Sequence, residues 1–423
     1  MKAITYLTLS LFLCFSLGCN NKPTEKSPMA TDKWVSDLDY LVETLEARHI
    51  NLYHTTSKSD IYNRVDSLKQ QLKKLSENQI TMEFSKIVRA LDDSHTGIWS
   101  SNSNYYQSFT LGFFSFDDDG FRVLRTSKEN THLLGAKLVR IDDMTISEVI
   151  QRIEPMIQCA DNYYSIQARL ADELRYGARL HALGITKIEN MATFEFLLPD
   201  SSVQKVNLQT VAAHEYEPLL TQSLELKDFQ KPFSYKNASI GTEEIWFQTI
   251  DNHEIGYIYF SKYLNNLQMR RFAVAVSREL IKHNTQKLII DVRYNGGGNF
   301  FNGLQLAKLL TITDNLDFEN GIYVLTSRYT YSAGMSNTAH FKELLNAKLV
   351  GEPTGANPND YQDADGFPLP HSQMWVQYSK RYYRFQDSIS NGIIPDVHIK
   401  PKWSDYQQEH DEVLAWVLKD IRL

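Results

Sequence analysis

The chain has 423 residues, long enough for two or three domains with sizeable cores. Hydrophobic residues make up 42% and charged residues 22%, ordinary proportions for a globular protein. A net charge of −7 with no lysine/arginine block argues against nucleic acid as the main partner.

The first residues read as a targeting segment. Lys2 supplies a positive end, and Leu7 to Leu17 is mostly apolar but too short to span a bilayer as a stable helix. The stretch ends in Ser16-Leu17-Gly18-Cys19, which resembles a bacterial lipobox, with Ser16 where a leucine is usual. That resemblance implies a signal peptide over 1–19, lipidation of Cys19 and anchoring to a bacterial membrane in the cell envelope. A plain secretory signal cut nearby is the alternative. Residues 20–31 are polar, contain Pro23 and Pro28, and read as a tether. Cys14 lies in the leader, so Cys159 alone remains in the body beyond Cys19 and no internal disulfide is expected. Cys159 reads as a small semi-buried residue rather than a nucleophile.

Three amphipathic helices are expected between residues 32 and about 93, forming an N-terminal helical domain over 32–104. Trp34, Leu38, Leu41 and Leu45 keep a helical stripe, with Thr31 or Asp32 as cap. Ile61, Val65, Leu68, Leu72 and Leu75 make the second stripe. Thr81 is expected to cap the third helix, which stops at Asp92-Asp93-Ser94-His95-Thr96-Gly97. The pattern then changes to an α+β module over 105–212. Asp117 to Gly120 separates two apolar runs as a hairpin turn, and Phe194 to Leu198 and Val203 to Val206 suggest another. A helix is expected over about 161–183. Residues 213–253 are irregular in pattern and read as a connector. From 254 to 423, strands at 255–260, 287–291, 322–326 and 347–351 alternate with helices at about 265–283, 300–311 and 332–345. This is the signature of parallel crossover units, whose ligands sit at the strand C-terminal ends.

Two of those ends carry chemistry. Asn295-Gly296-Gly297-Gly298 follows the second strand, and its glycines let backbone amides approach a ligand closely. Ser332 follows the third, in Tyr331-Ser332-Ala333-Gly334, at a helix N-terminus where a developing anion is favoured. Ser332 reads as a nucleophile or as an ordinary N-cap. The glycine turn reads as an oxyanion cradle, a structural turn or, less readily without a P-loop lysine, a phosphate site. A serine nucleophile needs a base. The stretch Gly351 to Asn357 holds no lysine, and His340 lies two turns into the helix that Ser332 opens. His95, just beyond a helix end, is the better candidate. No metal-ligand spacing occurs, and neither metal nor cofactor is expected.

Leu288 to Gly298, Ser332-Ala333-Gly334, Leu349 to Gly355 and Gly392-Ile393-Ile394-Pro395-Asp396 resemble, in order, four motifs of the C-terminal processing (tail-specific) and tricorn-type serine peptidases. Gly135 to Asp143 and the helix after it resemble the PDZ-like module of those enzymes. The resemblance covers roughly residues 80 to 400. It implies an α/β, crotonase-like (ClpP/crotonase) protease core over 254–423 that cleaves peptides or unfolded proteins. The C-terminal processing branch uses a Ser–Lys dyad, but Asn357 stands at about the lysine's position. The tricorn-like branch uses a histidine from an upstream domain preceded by an orienting serine, which Ser94-His95 fits. The implied site is therefore Ser332 as nucleophile, His95 as base, Ser94 as its orienter, and the amides of Gly297 and Ala333 as oxyanion hole. That branch also places a glutamate shortly before the Gly392–Asp396 motif; Asp387 is the nearest carboxylate here. The alternative is a non-catalytic protein binding a hydrophobic ligand or peptide on the same fold. Oligomeric state is not legible.

Overall fold

Strands Ile255–Phe260, Lys287–Asp291, Ile322–Thr326 and Lys348–Gly351 run parallel, side by side. The computed structural model that shows this describes residues 28–224, 226 and 238–422. The leader call at 1–19, Cys19 and most of the 20–31 tether lie outside the described residues.

The parallel strands form the middle of a seven-stranded sheet. Val397–His398 closes one side in parallel, and Ile245–Ile250 and then Ile240–Gly241 extend the other antiparallel. Strand periodicity divides the residues between two buried faces. Leu288, Ile290, Val324 and Leu349 join a core with helices Asn266–His283, Phe300–Leu310 and Ala333–Leu345. Ile289, Tyr323, Leu325 and Val350 face the opposite way, under helix Glu412–Asp420. The expected strands and helices of this region are present with nearly the expected limits. The strand at Ile245–Ile250 and the helix Ala213–Leu219 were not expected, because 213–253 reads as irregular.

A second sheet has the order Leu111–Phe116, Gly120–Thr126, Lys137–Ile141, Met191–Leu197, Val203–Gln209. Its own core includes Val123, Leu138, Phe194 and Phe196 beneath helix Ile146–Ile153. The expected helix over 161–183 is two, Tyr163–Glu173 and Gly177–Ala182.

The three N-terminal helices are Thr31–Arg48, Lys58–Gln71 and Glu77–Arg89. Thr81 does not cap the third. Ser76 does, in a reciprocal capping box with Gln79 that satisfies two orphan amides, and Thr81 lies within the helix donating to the Glu77 carbonyl. Ala30, with no side-chain cap bond, precedes the first helix. The core of these helices is completed by Phe367, Val376 and Tyr378 of a long hairpin, Asn359–Pro368 and Trp375–Arg384. That hairpin also pairs with Gly97–Trp99, immediately after His95. The loop that carries His95 thereby reaches Ser332, beyond the end of strand Ile322–Thr326.

Candidate active site

Asp291 and Leu325 are level in the parallel register, so the turns after their strands open side by side. Asn295, fully buried, joins them. Its side-chain nitrogen donates to the Phe260 carbonyl (3.1 Å), its Oδ1 accepts from the Gly297 amide (3.1 Å), and its carbonyl accepts from the Tyr331 amide (2.9 Å). Gly297 has φ +113°, and a Cβ there would stand 2.7 Å from the Ser332 Cβ. Only glycine fits both constraints. Gly297→Ala is expected to leave the fold in place while displacing Ser332, with about a 10²-fold slower reaction with a fluorophosphonate probe; unchanged labelling would contradict this close approach.

Ser332 immediately precedes helix Ala333–Leu345, but its hydroxyl makes no cap bond. Its backbone has φ 50° and ψ −123°, a strained conformation for a residue with a Cβ. The strain turns Oγ away from the helix amides and toward His95, whose Nε2 lies 2.9 Å away. Ala333 is the first helical residue, so its amide has no intrahelical acceptor.

His95 reaches this point because its loop is clamped from several sides. Gln377 donates to the His95 carbonyl (2.8 Å), and the Ser379 amide donates to Thr96 Oγ1 (3.3 Å). The Asp93 carboxylate accepts from the His95 amide (2.7 Å), the Ser379 hydroxyl (2.7 Å) and His49 Nε2 (2.6 Å). The Asn51 amide occupies His49 Nδ1 (3.0 Å), which puts the ring proton on Nε2, toward Asp93. Burial alone would raise the Asp93 carboxyl; the His49 hydrogen bond, with the other donors, holds it below the usual range.

The imidazole is nearly solvent-free. Burial first, opposed by Asp93 and aided by Arg169, pushes the His95 pKa down to about 4. At neutral pH it is therefore an uncharged base. Ser94 Oγ lies 2.8 Å from His95 Nδ1 and donates to the Tyr361 carbonyl (3.3 Å). The Tyr331 ring stacks on His95 at 5.5 Å, and its hydroxyl lies between the carbonyls of Ser94 and Cys159. Cys159 is buried and its thiol pushed up to about 12, so it is not a thiolate.

The structure thus brings Ser332, His95, Ser94, Gly297 and Ala333 together. It does not bring Asp387. The Asp387 side chain is fully exposed and pairs with Arg384 (3.2 Å), whereas Ser94 is buried, so the two do not meet. Its loop is held by Asn359, whose amide donates to the carbonyls of Gln386 and Ser388, leaving Asp387 pointing outward. Asn357 makes structural bonds to Asp161, Asn162 and Gly392. His340 packs among Phe300 and Phe385, away from Ser332. Sequence reading missed Asp93, His49 and the Tyr331 hydroxyl, and named Asn295 only as part of the glycine turn. Asp93 and Tyr331 adjoin flagged residues, which is a usable signal; His49 has none. Among the described residues, no group of three or more His, Cys, Asp or Glu side chains is arranged to hold a metal ion.

A nucleophile hydroxyl on a neutral imidazole beside the Ala333 amide at a helix start equips a site for acyl transfer. Residues 254–399 match Peptidase family S41. No curated protein matches the chain. Among solved structures, mature CPAF complexed with lactacystin is similar over 92% of this chain and 97% of its own, at 13% identity and TM-score 0.63. The photosystem II D1 C-terminal processing protease matches at 16% identity over 88% of this chain and 94% of its own, with TM-score 0.42. The tricorn protease matches at 14% identity over 93% of this chain and 37% of its own, with TM-score 0.41. The chain has a fold of mixed helices and sheets similar to that of CPAF, with the S41 match confined to residues 254–399. The S41 match supports a peptidase hydrolase acting on peptide or protein substrates.

Proposed function

We propose that the chain is a tricorn-like serine peptidase that works through a Ser332 acyl-enzyme. Ser332 Oγ attacks the peptide carbonyl as His95 Nε2 takes its proton. The imidazolium then gives that proton to the leaving amine, and water repeats the sequence to release the acyl group. Ser94 holds the imidazole through Nδ1. The Ala333 amide, with that of Gly297 once it turns from Asn295, receives the oxyanion. One observation carries this reading: the Ser332 hydroxyl, unspent as a helix cap, lies 2.9 Å from His95 Nε2. The same observation disfavours a non-catalytic binding role, which gives no reason for the strained serine.

The core over 254–423 is read as crotonase-like, and the module over 105–212 as PDZ-like, able to add an extended peptide as a strand. Anchoring in a bacterial cell envelope through Cys19 rests on the Ser16–Cys19 segment alone.

The test is hydrolysis of unfolded casein by the full chain across pH. His95 has a lowered pKa, so the base remains unprotonated down to about pH 4. Activity is expected to hold from neutrality well below the ordinary histidine range and to fall only near that value. Stability moves with the opposite charge state. The unfolded chain binds a proton at His95 that the folded chain refuses, so this group costs stability as pH falls from about 6.5 toward 4. An acid limb centred in the ordinary histidine range, or no hydrolysis at any pH, would overturn the reading.

A further inference from the structure

The Ser94–His95 arrangement lacks the carboxylate expected at Asp387, yet two other carboxyls lie against it. Asp360 precedes Tyr361, whose carbonyl receives the Ser94 hydroxyl, and Asp360 is itself in hydrogen-bonding contact with Ser94. Asp161, from the segment before helix Tyr163–Glu173, is in hydrogen-bonding contact with Asp360. The other Asp161 oxygen, Oδ2, is used by the Asn357 amide (2.9 Å). Asp161 Oδ1 and Asp360 Oδ2 are both buried, and no donor reaches either.

Two carboxylates cannot both be ionised in such a contact without a large electrostatic penalty. A proton between them supplies the missing donor. The surroundings agree. Half-buried Arg169, its guanidinium 5.1 Å from the Tyr331 ring centre, has a buried Nε without a partner and carries one positive charge beside Asp161. One shared carboxylate charge balances it; two would not. On the other side, the Asp93 carboxylate, held by His49, adds negative charge at Asp360. Asp363 contributes negative charge toward His95, and the Tyr331 phenol and Cys159 thiol complete the facing titratable groups. Burial, and for Asp161 the neighbouring Asp360 charge, push both carboxyls up from their ordinary values.

We propose that Asp161 and Asp360 share a single proton across their facing buried oxygens, and that this pair is a positioning unit. It accepts from the Ser94 hydroxyl in a bond shared with the Tyr361 carbonyl, leaving Ser94 Oγ to accept from His95 Nδ1–H and so fixing the tautomer whose Nε2 accepts from Ser332. The pair takes the place of the lone carboxylate expected at Asp387. The effect on rate rests on the Ser332–His95 reading; the shared proton does not.

The experiment measures kinact and KI for fluorophosphonate labelling of Ser332 in the full chain, from mildly acidic to alkaline pH. Infrared spectra of isotope-labelled aspartate accompany it. Asn at position 161 mimics the protonated acid and donates to Asp360. Asp161→Asn should therefore lower neutral-pH kinact far less than loss of the Asp360 acceptor does, keep KI, lose the protonated-carboxyl stretch seen in wild type, and abolish the alkaline fall in kinact caused by parting of the two charges. Asp360→Leu, similar in shape but without an acceptor, should lower kinact about 10²-fold with KI unchanged. Equal losses in the two variants, or a wild-type spectrum without a protonated aspartate at neutral pH, would overturn the shared proton. A normal kinact and pH profile in Asp360→Leu would overturn the positioning role. If wild type is not labelled at Ser332, the Ser–His reading fails, while the wild-type infrared pH titration still decides the proton. That titration also needs no variant to fold.

Discussion

Ser332→Ala is expected to remove peptide hydrolysis, by about 10⁴–10⁶-fold, and all fluorophosphonate labelling, with little change in stability. The loss is large because the nucleophile and its base act as a unit, so the remaining groups recover little of the rate. The fold should survive because Oγ makes no helix-cap bond and alanine deletes only that atom. Relief of nothing is expected at the backbone, since φ 50° remains strained for alanine. Hydrolysis retained in this variant, measured with the same casein assay, would exclude Ser332 as nucleophile.

His95→Ala is the second large effect, a loss of about 10⁴-fold or more at neutral pH. The distinguishing feature is its pH dependence. Wild type should lose activity near pH 4, following the depressed His95 pKa, and that limb should vanish from the residual rate of the variant. The loop should remain in place, because its clamps use the His95 main chain and its neighbours Asp93 and Thr96 rather than the ring. A residual rate that keeps the same acid limb would assign the titration to another group.

The parts of the fold legible in the sequence are those whose residues are buried on both faces. Leu288 to Ile290 and Tyr323 to Leu325 are continuous apolar runs because helices cover both sides of the parallel sheet. The turns after them carried glycine and serine signals and were equally plain. The hairpin Asn359–Pro368 and Trp375–Arg384 was not, because much of it is polar and only alternate residues such as Val376 and Tyr378 reach a core. That core belongs to helices some 300 residues earlier in the sequence, so no local pattern announces the pairing. The same separation hid the clamp on His95 and the Asp161–Asp360 contact. Asp387 was chosen by closeness to a motif in sequence, and an exposed ion pair with Arg384 shows how little that closeness decides. The third helix's cap, in contrast, was present in the sequence as Ser76-x-x-Gln79 and was overlooked in favour of Thr81.

The central claim is that Ser332 is activated by a histidine about 240 residues upstream. Its most direct test is mass-spectrometric mapping of the fluorophosphonate adduct in wild type and His95→Ala at neutral pH. The account predicts one adduct, on the peptide containing Ser332, in wild type and essentially none in the variant. An adduct on a different serine, or Ser332 labelled at an unchanged rate without His95, would contradict it.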